Sequence, residues 1–436
     1  MTKLTKFLRF AEQAFTVLSL IHYSGGPLVV ILNGGANEGE DGGGIPADYA
    51  LVQLLFLLIY GVTFLLLVAR WKKVIYVIGK DRFIWVLIAV AVFSVFWSDA
   101  PDVTKTRTVA LVGTTLFGFY LASRYSMKQQ LQLLAWAFGI SIVLSFLFAV
   151  GVPKLGIMGG LHAGKWRGIY AHKNVLGKMM VISALIFLLL AISAKRNRRI
   201  LWGGLSLSAM LIVLSASSTS LVNFLALIAV FFALRALRLH YEQMIPTLLA
   251  IAIVAASLQL LYTANADTLL GLFGKDATLS GRTDMWPYVL EKIWERPWLG
   301  YGYSGFWRGL DGESAYIWYA TRWTPPNAHN GLLDLWLDLG LLGVSIYLLG
   351  FLTSFIIAIT RVRLSRTTEE FWPVLYMLYI VLANLTESTM LERNSLYWVL
   401  FAAVILSIRL PIEGQTETFT SAHQQTLEVS SHHLIN

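Results

Sequence analysis

The chain has 436 residues, of which 56% are hydrophobic and only 14% are charged, and its formal net charge is +9 at pH 7. Soluble proteins have about a quarter charged residues, so this composition excludes an ordinary soluble domain. The chain has no cysteine, which also excludes disulfides, thiol nucleophiles and cysteine-ligated metals.

The apolar residues form long blocks, each close to the roughly 20 residues that a membrane-crossing helix requires. They do not alternate with polar residues, as the strands of a membrane barrel would. Helices are predicted at residues 12–32, 48–69, 83–97, 107–123, 130–150, 174–193, 200–215, 221–235, 245–262, 331–360, 371–386 and 395–410. The sequence therefore predicts an all-α polytopic transmembrane bundle of about 12 helices over residues 1–410, with a disordered cytoplasmic tail at 411–436.

Positively charged residues cluster in alternate loops between these helices. The clusters lie at residues 3–9, 70–82, 124–128, 195–199, 235–238, 361–366 and 409. Because positively charged loops stay in the cytoplasm, this alternation predicts that both termini are cytoplasmic. The pattern assigns most of the net charge to membrane topology, so no nucleic-acid partner is predicted.

The remaining loops are predicted to face the opposite side. The longest, residues 263–330, is rich in Trp, Tyr and Gly and is expected to contain short helices, because its aromatic content argues against disorder. The first outer loop contains Glu38, Glu40 and Asp41, which could gather a cation. A solvated acidic loop is the favoured interpretation, and no metal site is predicted.

Two glycine-rich stretches resemble nucleotide-binding loops but lack their context. Residues 159–166 end in Trp166, where a phosphate loop needs a hydroxyl for magnesium. Residues 300–305 read G-x-G-x-x-G, but no strand–turn–helix unit is predicted around them. We expect Gly300 and Gly302 instead to permit a turn with positive φ or a close backbone approach.

Five polar motifs occur on the predicted outer side in a fixed order. They read R-G-x-Y-x-H-K-N at 167–174, S-G-R-T-x-x-W at 280–286, P-x-x-G-x-G-x-x-x-F at 297–306, A-H-N at 328–330 and N-L-T-E-S at 384–388. This ordered set, over about residues 165–395, resembles the superfamily of O-antigen ligases and Wzy-type O-antigen and exopolysaccharide polymerases. The H-K-N and N-L-T-E-S elements are most similar to the exopolysaccharide-polymerase branch.

The resemblance implies a multi-helix glycosyltransferase in the bacterial inner membrane, without cofactor or metal, which inverts the anomeric carbon. Its donor would be an oligosaccharide on undecaprenyl diphosphate at the periplasmic face. The acceptor would be another lipid-linked glycan in a polymerase, which we favour, or lipid A-core in a ligase. A flippase and a chain-length regulator are candidate partners.

The diphosphate leaves as an anion, and Arg167 and Arg282 are the predicted residues that bind it, with Lys173 as helper. A guanidinium binds two phosphate oxygens at once and stays protonated, which suits a site without metal. The predicted tenth helix adds a positive N-terminus, with Asn327 as its expected cap.

The acceptor hydroxyl must lose a proton, and His329 is the predicted general base, placed two residues into that helix. A capping or polar-core role for His329 is the alternative interpretation. The predicted supporting residues are His172, Asn174, Asp284, Tyr301, Asn330 and Glu387.

Several of these assignments have a structural alternative. Tyr301 could stack on a sugar or anchor the loop at the membrane interface, and Glu387 could line the site or form a structural pair. Asp334 and Asp338 lie four residues apart in the tenth helix and are functional candidates as ionisable residues in a membrane helix, with pairing to outer-loop arginines as the structural alternative.

A membrane transporter and a scaffold for other assembly proteins are the rival interpretations. A transporter should show paired repeats and broken helices, and we expect neither here. A scaffold would leave the outer arginines without a role.

Overall fold

The computed structural model describes residues 3–35, 50–240, 242–243, 245–246 and 282–411. The first eight α-helices are α1 (Lys3–Tyr23), α2 (Leu28–Leu32), α3 (Ala50–Val68), α4 (Trp71–Ile78), α5 (Phe83–Phe93), α6 (Pro101–Arg124), α7 (Met127–Gly151) and α8 (Pro153–Gly156). They are followed by α9 (Lys173–Ser193), α10 (Arg198–Leu214), α11 (Ser218–Ala236), α12 (Arg282–Glu295), α13 (Ser314–Thr321), α14 (Gly331–Leu364), α15 (Phe371–Asn384) and α16 (Leu396–Ser407).

The predicted all-α class is confirmed for the described residues, whose nearest approach to a strand is one isolated bridge between Ile157 and Trp166. Every predicted helix overlaps one of the helices named above except 245–262, of which residues 247–262 lie outside the described part. Within that part, five helices are long and apolar enough to cross a membrane, namely α3, α7, α9, α11 and α14.

Helix boundaries differ from the prediction mainly at the start of the chain. Helix α1 begins at Lys3 rather than at residue 12, so its basic residues belong to the helix itself. The predicted segment 12–32 breaks after Tyr23, where Gly25 adopts a φ of +84°. Helix α4 was not predicted, because its eight residues are too few for a membrane block; it buries Val74 and Val77 against the bundle.

The centre of the bundle is formed by α9, α15 and α16. Every residue of α16 is buried, and 83% of the most apolar stretch of α9 is buried. The corresponding share is only 28% for α3 and for α11. Leu54, Leu57, Phe64 and Leu65 project outward from α3, as expected for side chains that meet lipid.

Ionic contacts join the loops that the charge pattern grouped together. Glu12 of α1 accepts Arg70 at 2.8 Å and Arg124 at 3.0 Å. Arg361, at the end of α14, pairs with Glu370 at 2.8 Å. Loops that are far apart in sequence therefore meet at one end of the bundle, which we call the α1 end, and the motif residues lie toward the opposite end.

Helix α14 is broken at Gly340, where φ is +64° and ψ is −169°. The loop after α12 supplies hydrogen-bond partners for the backbone groups that the break leaves free. The Tyr301 amide donates to the Leu337 carbonyl at 2.7 Å, and the Leu341 amide donates to the Pro297 carbonyl at 2.8 Å. Backbone groups freed inside a membrane helix need such partners. This break was not predicted from the sequence, which had been expected to show no helix broken near the midplane of the membrane.

The glycine prediction is confirmed by the same loop. Gly300 and Gly302 have φ of +67° and +85°. A Cβ on Gly300 would lie 2.4 Å from the Leu337 carbonyl oxygen, so the loop can reach the broken helix only with glycine there.

Replacing Gly340 with alanine should destabilise the protein strongly. An added Cβ would lie 2.2 Å from the Trp298 backbone, and the positive φ is itself unfavourable for alanine by about 1 kcal/mol or more. Thermal unfolding of the purified protein would measure the loss. The matched control is Gly61→Ala in α3, where a Cβ meets no atom within 4 Å and stability should stay unchanged or rise slightly.

Candidate active site

Residues 282–330 and the start of α14 enclose a small core of their own. Its buried members are Met285, Val289, Ile293, Tyr301, Phe306, Ile317, Ala328 and Leu337. The Trp286 indole donates to the Ala328 carbonyl at 3.0 Å, which fixes the A-H-N segment against α12. This core therefore positions His329 at the end of the bundle opposite the α1 end.

His329 lies just before α14 rather than two residues inside it. Its φ of +49° is left-handed, which ends any helix continuing from this residue. Asn330 is the actual N-cap, because its side chain accepts the Leu332 and Leu333 amides at 3.1 and 3.3 Å. The assignment of the cap to Asn327 is wrong: its side chain instead accepts the His329 amide at 2.9 Å.

The His329 ring is 99% enclosed by the protein, with 1% of its surface exposed. It stacks on the Trp323 ring at 5.5 Å between centroids and 9° between planes. An aromatic face over an imidazole restricts the access of water to it. His329 is therefore held in a buried position against Trp323.

Asp334 connects three segments around His329. Its carboxylate accepts the Ala328 amide at 3.0 Å, the Trp307 indole at 2.6 Å and the Ser388 hydroxyl. These donors are neutral, so the structural alternative of pairing with an outer-loop arginine is wrong for Asp334. Sequence reasoning had singled out this aspartate as ionisable in a membrane helix but could not identify its partners.

Arg167 is fully buried, and its guanidinium is directed at backbone carbonyls. Its Nε donates to Leu155 at 2.8 Å, its Nη1 to Ala171 at 3.5 Å, and its Nη2 to Gly35 at 2.6 Å and to Lys154 at 3.1 Å. These bonds hold the loop before α9 against the end of α2. Arg167 thus has a clear structural role, and binding of diphosphate by this residue stays a prediction.

His172 is the N-cap of α9. Its Nδ1 accepts the Asn174 amide at 3.2 Å, so the proton of the neutral ring belongs to Nε2, which is buried without a hydrogen-bond partner among the described residues. Burial, together with the positive charges of Lys173, Lys178 and Arg167, lowers the pKa of His172 to about 3. The ring is therefore neutral and surrounded by cationic groups.

Lys173 and Lys178 place two ammonium groups on the first turns of α9. Lys173 donates to the Asn174 side chain at 3.1 Å and lies 3.4 Å from the Ala216 carbonyl. Lys178 pairs with Glu387 at 3.3 Å. Lys178 was missed in the sequence, although a lysine within an apolar helix is itself a signal.

These contacts form a continuous connection between the predicted residues. Helix α9 contacts Glu387 through Lys178; the next residue, Ser388, contacts Asp334; and Asp334 contacts Ala328, beside His329. The structure thus brings together the 167–174, 328–330 and 384–388 motifs. Such proximity was expected from the family resemblance and not from any spacing in the sequence.

Two predicted site residues, Asp284 and Tyr301, stand apart from this connection. Asp284 is exposed in the first turn of α12. Tyr301 is buried in the small core, and its hydroxyl donates to the Lys292 carbonyl at 2.8 Å, so neither sugar stacking nor interfacial anchoring describes its position. Arg282 is the first residue of α12, and its side chain lies outside the described residues.

Acidification should destabilise the protein in a way that depends on His172. The unfolded state takes up a proton below about pH 6.5, while the folded ring stays neutral until about pH 3, so the stability falls as the pH is lowered between these values. The expected loss at pH 5 is about 2 kcal/mol, since one unit corresponds to about 1.4 kcal/mol. Unfolding temperatures at pH 7 and pH 5 would be compared with those of His172→Asn, which keeps a capping oxygen but cannot titrate. Equal acid sensitivity of the two proteins would contradict the assignment.

Comparison with known proteins supports the motif assignment. The family profile "O-Antigen ligase" matches residues 203–348, a stretch that contains Arg282, Tyr301, His329 and Asn330. The motifs at 167–174 and 384–388 lie outside it. The exopolysaccharide production protein ExoQ of Rhizobium meliloti (strain 1021) is 24% identical over 314 residues, which cover 70% of this chain and 71% of the relative. Both matches confirm the predicted resemblance to the O-antigen ligase and exopolysaccharide polymerase superfamily, and together with the apolar helices they indicate a multi-pass membrane protein of this kind.

Proposed function

We propose that this protein polymerises glycan units during exopolysaccharide assembly, with an oligosaccharide on undecaprenyl diphosphate as donor and a second lipid-linked glycan as acceptor. The reaction takes place at the periplasmic face of the inner membrane, and both termini are cytoplasmic. The observation that carries the proposal is the connection from the cationic start of α9 through Glu387 and Asp334 to His329.

The donor side of the site is its basic part. Lys173 and Arg282 bind the diphosphate, and the buried charge of Arg167 adds to the positive potential. Neutral His172 supports this arrangement, because its buried Nε2–H group can donate a hydrogen bond to a phosphate oxygen. Asn174, Asp284 and Asn330 complete the polar surroundings.

The acceptor side is organised by His329. Its imidazole takes the proton as the acceptor oxygen attacks the anomeric carbon from the face opposite the diphosphate. The new carbon–oxygen bond forms as the bond to the diphosphate breaks, and undecaprenyl diphosphate leaves with the electron pair. Attack from the opposite face inverts the anomeric configuration, and the cationic groups replace a metal.

Reconstitution with a defined donor would test this proposal. The purified protein in vesicles is given a synthetic repeat unit on undecaprenyl diphosphate, and glycan length is followed by gel and mass analysis. Elongation with inverted linkages, unchanged by a chelator, is expected. Loss of elongation on chelation would instead show a metal requirement, with Glu38, Glu40 and Asp41, outside the described residues, as the first candidates.

The second candidate function is ligation of glycan to lipid A-core, which the name of the matched family profile favours. The same vesicles supplied with lipid A-core as the only acceptor distinguish the two. Transfer to lipid A-core without elongation of lipid-linked glycan would assign a ligase. Movement of the intact lipid-linked donor across the membrane, without elongated glycan or glycan on lipid A-core, would instead assign a transporter. The broken helix at Gly340 is a feature that transporters also have. A flippase and a chain-length regulator are proposed partners in the cell.

A further inference from the structure

A groove runs between α1 and α7, at the α1 end of the bundle and away from the candidate active site. Its volume is about 700 Å³, which is within the usual range for a site that binds a small molecule. Its lining includes Arg9, Gln13 and Leu18 from α1, Arg124 from the end of α6, and Gln129 and Trp136 from α7. Nothing in the proposed reaction uses these residues.

Polarity changes in one direction along the groove. The two helices run in the same direction, because Arg124, just before α7, contacts Glu12 in the middle of α1, and Ile169 lies beside both Gly26, just after α1, and Ser145 of α7. Along this direction the polar lining residues Arg9, Gln13, Gln129 and Gln132 come first, with Phe10 among them, and the apolar Leu18, Trp136 and Ile140 follow toward the middle of the bundle. At 1.5 Å per residue, the stretch from Arg9 to Leu18 is roughly 14 Å long. A headgroup followed by the upper part of an acyl chain has this same order of polarity and a comparable length.

The polar end has an excess of positive charge. Glu12 lies beside it and is shared by Arg70 and Arg124, so these three side chains have a net charge of +1. Arg9 is a further basic residue in the lining of the groove. Arginine is well suited to phosphate, and basic residues near a membrane surface attract anionic lipids.

The apolar end is open to the side rather than packed. Leu18 is 64% exposed and Trp136 is 69% exposed, as expected for side chains that contact acyl chains. We propose that this groove binds one phospholipid with an anionic headgroup, at a site separate from the one where glycan is transferred.

Binding of defined lipids to the full-length protein would test the proposal. The protein, purified in detergent, is titrated with phosphatidylglycerol or with phosphatidylcholine of the same acyl chains, and bound lipid is counted by native mass spectrometry. One phosphatidylglycerol should bind preferentially and raise the unfolding temperature, because a ligand that binds the folded state stabilises it. Equal binding of the two lipids would overturn the proposal.

Variants separate the groove from general charge effects. Arg9→Gln should weaken phosphatidylglycerol binding about fivefold, the effect expected of one basic residue near anionic lipid, and should leave phosphatidylcholine unaffected. Lys6→Gln is the matched control, because Lys6 lies on the same helix outside the groove, and it should bind like the wild type. An equal loss in both variants would show surface attraction only and overturn the site. Binding that appears only after deletion of residues 412–436 would also overturn it, by showing that the chain's own tail occupies the groove.

Discussion

His329→Ala should reduce glycan transfer by about 10²–10⁴-fold, the usual contribution of a positioned general base. The acceptor hydroxyl is a poor nucleophile until its proton is removed. The variant should still bind the donor, because the cationic residues are unchanged. Two quantities are measured: glycan elongation by the reconstituted protein, and binding of the lipid-linked donor. The unfolding temperature is the control, because the variant also loses the stacking on Trp323.

His329→Gln distinguishes a base from a residue that only positions the acceptor. Glutamine can form hydrogen bonds but cannot take the proton, so this variant should be as inactive as His329→Ala. A near-normal rate with glutamine would assign positioning to His329, and full activity of the alanine variant would remove it from the mechanism. The wild-type activity should also fall on acidification through the range in which imidazole titrates. His172 cannot produce that profile, because its pKa of about 3 lies far below it.

Arg167→Lys should cause the largest loss of stability among the site variants. The guanidinium donates to four carbonyls, those of Gly35, Lys154, Leu155 and Ala171, and one ammonium cannot reach them all. Each buried carbonyl left without a donor costs about 1–3 kcal/mol. We expect a lower unfolding temperature, less protein in the membrane and little activity.

Arg282→Lys is the informative comparison for that result. If Arg282 binds the diphosphate through its planar fork, lysine there keeps the charge but loses most activity, and the unfolding temperature should stay near that of the wild type. If the Arg167→Lys protein is as stable as the wild type but inactive, Arg167 binds the diphosphate directly. Normal activity in both variants would contradict a role for either arginine in the site.

The helices and the fold class could be predicted because they depend on local composition. Blocks such as those of α3 and α9 have too many apolar residues for any structure other than a buried or membrane helix. The grouping of Arg70 and Arg124 at one end of the bundle also followed from charge alone, and their shared contact with Glu12 agrees with it. The positive φ angles of Gly300 and Gly302 could also be predicted from local sequence, because residues other than glycine rarely adopt a positive φ.

The partners of the buried polar groups could not be predicted, because they come from segments far apart in the chain. Gly35 lies 132 residues before the guanidinium of Arg167 to which its carbonyl is bonded, and Ser388 lies 54 residues beyond Asp334. The break at Gly340 is likewise stable only because the loop at Pro297 and Tyr301 supplies its hydrogen bonds. Residue type and local pattern specify which groups need a partner inside a membrane bundle. The packing of distant helices and loops specifies which partner each one finds: the Arg167 guanidinium bonds to four backbone carbonyls, and the Asp334 carboxylate accepts the amide of Ala328, beside His329.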